Sequence, residues 1–516
     1  MKQRIITIIL TTLSTLPFYG QIVFPTPGNL RTQRGTFTVK DSVSVYADHP
    51  TAFYLQFFQN TVLTGRTIQW VKDPREAQVV WTTQASLPTE GYCIDITPKI
   101  LHVRASHDKG FLYAVQTLRQ WVKTDRQQLS FRCVTMQDQP KYPWRGFMLD
   151  SGRQFQQVST IKKYIDMASM LKLNHFHWHL TEGLGWRIEI KQYPLLAKVG
   201  STVGTGPEQQ GYYTQEQIRD IVAYAAQRNV TVVPEIDMPG HAEAALAAYP
   251  GLSCFGLPVE IPKTGFTHQI FCAGKERVML FLKNVLDEVC QLFPSEYIHL
   301  GGDEAPKDNW DICPDCQKRL RENKLKDSHD LQLWFAAQMS MHLKQRGRKA
   351  VFWGDVVYRE GYPLPDNTII QWWNYRGHQE LAVHNAWKNG HPVICSPNYY
   401  TYLNFPITPW KGYAKSRTFD MQDIYEANPA IKILQSNHPL ILGMSCALWT
   451  DYEVTESMID SRLFPRILAL AEQMWHAEPV LSFKEFYKRV GQKEQWFNQA
   501  GYQYGPALRK QLNHGK

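Results

Sequence analysis

The sequence predicts an α/β protein: a (β/α)8 barrel over 142–480 preceded by a small α+β domain over 21–138. Three observations lead there. Beyond Trp144, eight short apolar runs alternate for the most part with helix-spaced stretches. Before residue 135 the pattern is different, with period-two runs and one helix. Polar and aromatic residues also collect at the C-terminal ends of the later runs, which is where a barrel of this kind keeps its chemistry.

Taken in order, TFTVKDSVSVYA and CIDITPKILHVRA alternate apolar and polar residues and read as strands. Phe111, Ala114, Val115, Leu118 and Trp121 recur at helical spacing. The polar, proline-marked stretch Gln137–Pro143 divides the two domains. The barrel strands are expected at 145–150, 174–180, 230–237, 296–301, 349–354, 368–373, 392–396 and 441–449. Helical spacing falls at 158–172, 214–228, 275–292, 328–346 and 376–389, and residues 481–516 form a C-terminal helical segment on or after the barrel.

Composition narrows the function. With 43% hydrophobic and 20% charged residues the chain is not disordered. No apolar run beyond the N-terminus is long enough for a membrane span. The net charge of +9 resides mostly in Lys2, Arg4 and the stretch 484–516, so no basic groove for nucleic acid is expected. Residues 1–20 have the basic start, apolar run and small-residue end of a signal peptide, which predicts export to the periplasm or the medium. Nine cysteines leave at least one thiol unpaired, and oligomeric state is not legible. Cys313-Pro-Asp-Cys316 is half of a zinc knuckle without an evident second half, so it reads as a local disulfide or two ordinary thiols, and no metal is expected.

The chemistry centres on His299-Leu-Gly-Gly-Asp303-Glu304. Two glycines end a strand and let a ligand approach closely, and two adjacent acids follow. One acid can protonate a leaving group, but most glycosidases need a second carboxylate across the scissile bond. Adjacent residues point apart, so Glu235 or Asp237 could supply it. His175, His177 and His179 alternate on one strand and, with His241, His299 and Asp303, could ligate a metal; buried hydrogen-bonding histidines are the plainer reading. Trp353, Trp372 and Trp449 at strand ends suit the apolar face of a sugar.

These blocks resemble glycoside hydrolase family 20, the β-N-acetylhexosaminidases. The matching segments are Arg145–Asp150, Leu173–Leu180, Val233–His241 and His299–Glu304, while Gly110–Trp121 matches the small domain that precedes many family barrels. The resemblance implies an exo-acting, retaining enzyme that takes N-acetylhexosamine-containing glycans and needs no cofactor. It implies that the substrate's own acetamido oxygen is the nucleophile, an exception to the two-carboxylate scheme. Glu304 is then the general acid and base, and Asp303 orients the acetamido group. Tyr402 bonds the acetamido oxygen, and the three tryptophans wall the pocket. Arg145 binds hydroxyls of the terminal sugar. His241 links the general acid to a further carboxylate, a place that Glu182 takes here where many members have Asp. Asn404 stands where many have Asp and Asp451 where many have Glu, both among residues that read the outer hydroxyls.

Overall fold

In a computed structural model of the chain, eight parallel strands close into a barrel in chain order. They are β1 (Trp144–Asp150), β2 (His175–His179), β3 (Thr231–Glu235), β4 (Tyr297–His299), β5 (Lys349–Trp353), β6 (Thr368–Trp372), β7 (Val393–Cys395) and β8 (Ile441–Leu448). All eight expected runs are present. β8 closes on β1 with Gly443 opposite Trp144 and Leu448 opposite Leu149. The structure describes residues 21–509 apart from 126–127, 203–209, 263–266, 375–380, 408–418, 452–453 and 479. The leader expected over 1–20 and the start of the helix expected at 376–389 lie outside the described residues.

The strands read as near-continuous apolar runs because both of their faces are covered. Inside the lower barrel, Trp144, Val233, Val351, Ile369 and Ile394 form a packed layer, with the His175 ring stacked on Trp144 at 3.8 Å. Outside, helices Val158–Met170, Gln215–Ala226, Glu276–Leu292 and Ser328–Lys344 cover the ring. Two of their starts follow from the sequence: Thr214 and Gln217 make a capping box, and Asp327 accepts from the N–H groups of His329 and Asp330.

The first domain is a mixed sheet in the order Asn29–Val39, Gln128–Asp138, Tyr92–Ile96, Leu101–Ala105, Val79–Thr83, Ser42–Ala47, Thr67–Trp70. It carries two helices rather than the one expected. Besides Asp108–Trp121 there is Phe53–Thr61, whose aromatic-rich, side-chain-uncapped sequence hides its helical spacing. Tyr54 stacks on Phe111 at 4.5 Å and joins the two.

This domain grips the lower end of the barrel, where the strands begin. Lys172, just before β2, pairs with Asp138 at 2.9 Å with both side chains fully buried. Tyr92 and Trp475 also donate to Asp138. The C-terminal helix Phe483–Gln499 completes the joint. Its Phe486 meets Phe24 edge-on at 5.6 Å, and Lys493 Nζ donates to Gln120 O at 2.6 Å.

One expectation is corrected. Cys313 and Cys316 do have a second half, because Cys254 and Cys272 lie against them, all four buried. Sequence could not show this, since the two partners come from a different connection between strands.

Candidate active site

The upper ends of β1 to β4 run in register. Asp150 lies opposite His179, His179 opposite Glu235, and Glu235 opposite His299. Glu235 is fully committed to its neighbours. It receives His177 Nε2 at 2.8 Å, His179 Nδ1 at 2.5 Å and Trp353 Nε1 at 2.8 Å, with His299 Nδ1 at 3.2 Å. Burial pushes its carboxyl up, but the surrounding histidines hold it well below the usual range. His177 and His179 therefore bond to a buried carboxylate, His175 lies lower against Asn174 and Trp144, and Glu235 has no oxygen left to face a substrate.

Beyond β4 the chain turns through Gly301 (φ 63°) and Gly302 (φ 92°). A Cβ on Gly301 would stand 1.8 Å from Asp237 Oδ1, and the Gly302 N–H donates to that same oxygen at 3.0 Å. The turn is thus pressed onto Asp237, below the cleft. It delivers Asp303 with 13% of its side chain exposed and Glu304 with 42%. Glu304 itself has φ 45°, a left-handed conformation that is uncommon outside glycine and concentrates at functional sites.

His241, with φ 48°, faces both acids. Its Nε2 lies 3.7 Å from Asp303 Oδ2 and 3.8 Å from Glu304 Oε2. Behind it, Nδ1 contacts Glu182 Oε2 at 2.9 Å, and Arg153 reaches Glu182 at 2.8 Å and Asp150 at 2.9 Å. Burial works against a charged imidazole, but Glu182 lifts His241 well above its ordinary value. Burial likewise raises Asp303, with Asp237 adding to the rise and His241 opposing it. Asp237 is pushed up to about 7, chiefly by burial. The relay Arg153–Glu182–His241 therefore places a cationic imidazole beside Asp303 and Asp237, whose carboxyls burial raises.

An aromatic wall rises next to the acids. Trp353 and Trp449 lie 5.8 Å apart, and Tyr402 is 5.9 Å from Trp449. Trp372, at the end of β6, donates from Nε1 to Asn374 O at 3.0 Å. Its neighbour Trp373 is the ring that lies parallel to Tyr402, at 6.2 Å. Trp373 Nε1 also donates to Asp355, whose pKa burial raises to about 6, with Glu304 adding to the rise. The far side is polar. Asn404 Nδ2 donates to Asp451 Oδ1 at 3.0 Å, and the Arg153 guanidinium sits 5.0 Å over the Trp449 ring. Burial lifts Asp451 to about 6.

Arg145 is not part of this site. It stands at the opposite end of β1, fully buried, paired with Glu90 at 2.8 Å and donating to Tyr113 and to the carbonyls of Tyr142 and Lys172. A residue that starts a barrel strand lies at the lower face, a strand's length from the cleft. The arginine at the mouth is Arg153, just beyond the end of β1. Sequence reasoning passed over Arg153, Asp355 and Trp373. The signal was available, since each follows directly on the C-terminal end of a strand.

The family model described as glycosyl hydrolase family 20, catalytic domain, matches residues 142–478, and the one described as domain 2 of that family matches 21–139. The chain belongs to glycosyl hydrolase family 20. It is a glycoside hydrolase with the barrel and preceding domain of that family. It is 40% identical over 429 residues to a β-hexosaminidase of Porphyromonas gingivalis, covering 79% of this chain but 53% of that protein, so the chain spans about half its length. It is similar to the crystal structure of a β-N-acetylhexosaminidase from Bacteroides fragilis, with 58% identity, a TM-score of 0.91 and coverage of 95% and 98% of the two chains. A family 20 exo-β-N-acetylglucosaminidase from Vibrio harveyi, solved with N-acetylglucosamine, aligns with a TM-score of 0.82 at 26% identity over 94% of this chain and 78% of that one.

Proposed function

We propose that the chain removes terminal β-linked N-acetylglucosamine or N-acetylgalactosamine from the non-reducing ends of glycans with retention of configuration. The observation that carries this is the fate of the carboxylates. Glu304 opens to the cleft, whereas Glu235 is enclosed by three donors and the His299 ring, and Asp237 is held under the glycine turn. A nucleophile facing Glu304 across the bond is then best supplied by the substrate.

In the first step Glu304 gives its proton to the glycosidic oxygen as that bond breaks. The acetamido oxygen attacks C1 from the opposite face and forms an oxazolinium ion. Asp303 holds the acetamido N–H and balances the positive charge, while Tyr402 holds the acetamido oxygen. Glu304, now ionised, takes a proton from water, which opens the ring at C1. His241 steadies both acids through the cycle. Trp353, Trp449 and Trp373 cover the apolar faces, and Arg153, Asn404 and Asp451 take the outer hydroxyls. The similar Vibrio harveyi enzyme is an exo-β-N-acetylglucosaminidase in complex with N-acetylglucosamine, which supports the same substrate class here. The signal-like segment 1–20 supports export to the periplasm or the medium.

The test is a panel of 4-nitrophenyl glycosides and chitobiose. Glu304→Gln is expected to lower turnover of chitobiose by about 10²–10⁴-fold, the range of general acid catalysis. Asp303→Asn is expected to depress N-acetylated substrates selectively. Cleavage of β-glucosides as fast as β-N-acetylglucosaminides would overturn the substrate-assisted mechanism.

A further inference from the structure

Four cysteines that the proposed reaction does not use meet in the shell beside the cleft. Cys254 and Cys272 belong to the connection after β3, and Cys313 and Cys316 to the connection after β4. Their sulfur atoms all lie within 4.8 Å of one another. Three of the separations are close to equal: 3.9 Å for Cys254–Cys316, 3.8 Å for Cys272–Cys313 and 3.5 Å for Cys272–Cys316. Four sulfurs at a Zn–S distance of about 2.3 Å stand about 3.8 Å apart in a tetrahedron. Two disulfides would instead draw two pairs to about 2.0 Å and leave the pairs distinct from each other.

The surroundings suit thiolates. The backbone N–H groups of Gly274 and Lys275 are directed to Cys272, and Cys313 stands at the N-terminal boundary of the helix Pro314–Glu322, with Cys316 in its first turn. A Cβ on Gly274 would lie 2.2 Å from the Asp315 carbonyl carbon, so the two segments are seated backbone to backbone. The spacing of Cys313 and Cys316 is that of a knuckle, and Cys254 and Cys272 complete it.

We propose that Cys254, Cys272, Cys313 and Cys316 hold one structural zinc ion in a closed, four-thiolate site. No coordination position remains for substrate, so the ion is a clip rather than a catalyst. It fastens segments that matter to the site. The Phe271 N–H donates to Pro239 O at 3.0 Å, two residues from His241, and Trp310 Nε1 donates to Phe271 O at 3.0 Å, a few residues beyond Glu304. The ion ties together the two connections that present His241 and the Asp303–Glu304 pair.

The test is independent of the assigned reaction. The full chain, expressed with zinc and without a metal-binding tag, is analysed for metal by mass spectrometry and for ligand type by zinc-edge X-ray absorption. About one zinc per chain bound by four sulfurs is the expected result. The Cys313→Ser/Cys316→Ser pair should lose the ion, while Cys93→Ser, on a strand of the first domain, keeps it. Chelation of the unaltered chain should lower its Tm, with recovery on adding zinc back, which keeps the test sound if the double variant fails to fold. Less than about a tenth of an equivalent after zinc reconstitution under reducing conditions would overturn the proposal. An intact mass lower by four hydrogens, placing two disulfides among these cysteines, would overturn it equally.

Discussion

Arg145 and Arg153 flank one strand and do different jobs. Arg145 has no exposed surface and five hydrogen bonds within the domain joint. Truncating it leaves Glu90 without its cation and two carbonyls without their guanidinium donors, so Arg145→Ala is expected to cost about 3–5 kcal/mol of stability. The KM of the folded remainder should not change. Arg153 holds Glu182, which positions His241, and it borders the sugar wall. Arg153→Ala should lower kcat/KM by about 10²-fold, the scale of a misplaced catalytic group, with a smaller loss of Tm. Thermal unfolding and kinetics on the same samples distinguish the two, and a raised KM in Arg145→Ala would contradict its placement. The resemblance assigned the sugar-binding role to Arg145, while Arg153 stands just beyond the same motif. Only the direction of β1 separates them.

At the scale of elements, the glycine turn after β4 sets the position of the acids. Gly301→Ala puts a methyl group into Asp237 at a positive φ and is expected to reduce kcat by about 10²–10³-fold, comparable to losing one positioned donor. Gly347, at φ 69° with open space around it, provides the control. Gly347→Ala should cost about 1 kcal/mol of stability and leave kcat unaltered. Equal effects of the two substitutions on kcat would mean that the turn does not position the acids. The barrel strands were legible because parallel strands covered on both faces are written as unbroken apolar runs. His299–Glu304 was legible because glycines followed by paired acids have little use in packing. Phe53–Thr61 was not legible, since its aromatic residues favour strand and helix alike. The cysteine cluster was not legible either, because its members are scattered over separate segments that only the fold assembles.

For the whole molecule, stability depends on the buried joint between the domains. Burial pushes Asp138 up, but Lys172, Tyr92 and Trp475 together hold its carboxyl below the ordinary value. A depressed folded-state pKa contributes stability that is present above the unfolded value of about 3.9 and lost as pH falls through the folded one. Burial also depresses Lys172, so the acid limb is the cleaner readout. Asp138→Asn leaves Lys172 buried without its counter-ion and is expected to cost about 3–5 kcal/mol at neutral pH. Tm measured against pH should show that deficit shrinking as pH drops below about 4. A deficit constant down to about pH 2 would exclude the ion pair as its source.

The excess positive charge near the C-terminus also has a structural use, since Lys493 and Arg489 bond to Gln120 O and Thr26 Oγ1 across the same joint. With the small domain and the last helix both fastened beneath the barrel, durability and selectivity are governed at opposite ends. Changes accumulating below alter how long the enzyme survives, and changes around the mouth alter what it cuts. A lineage moving to a hotter niche or to a new glycan could therefore revise one end and leave the other as it was.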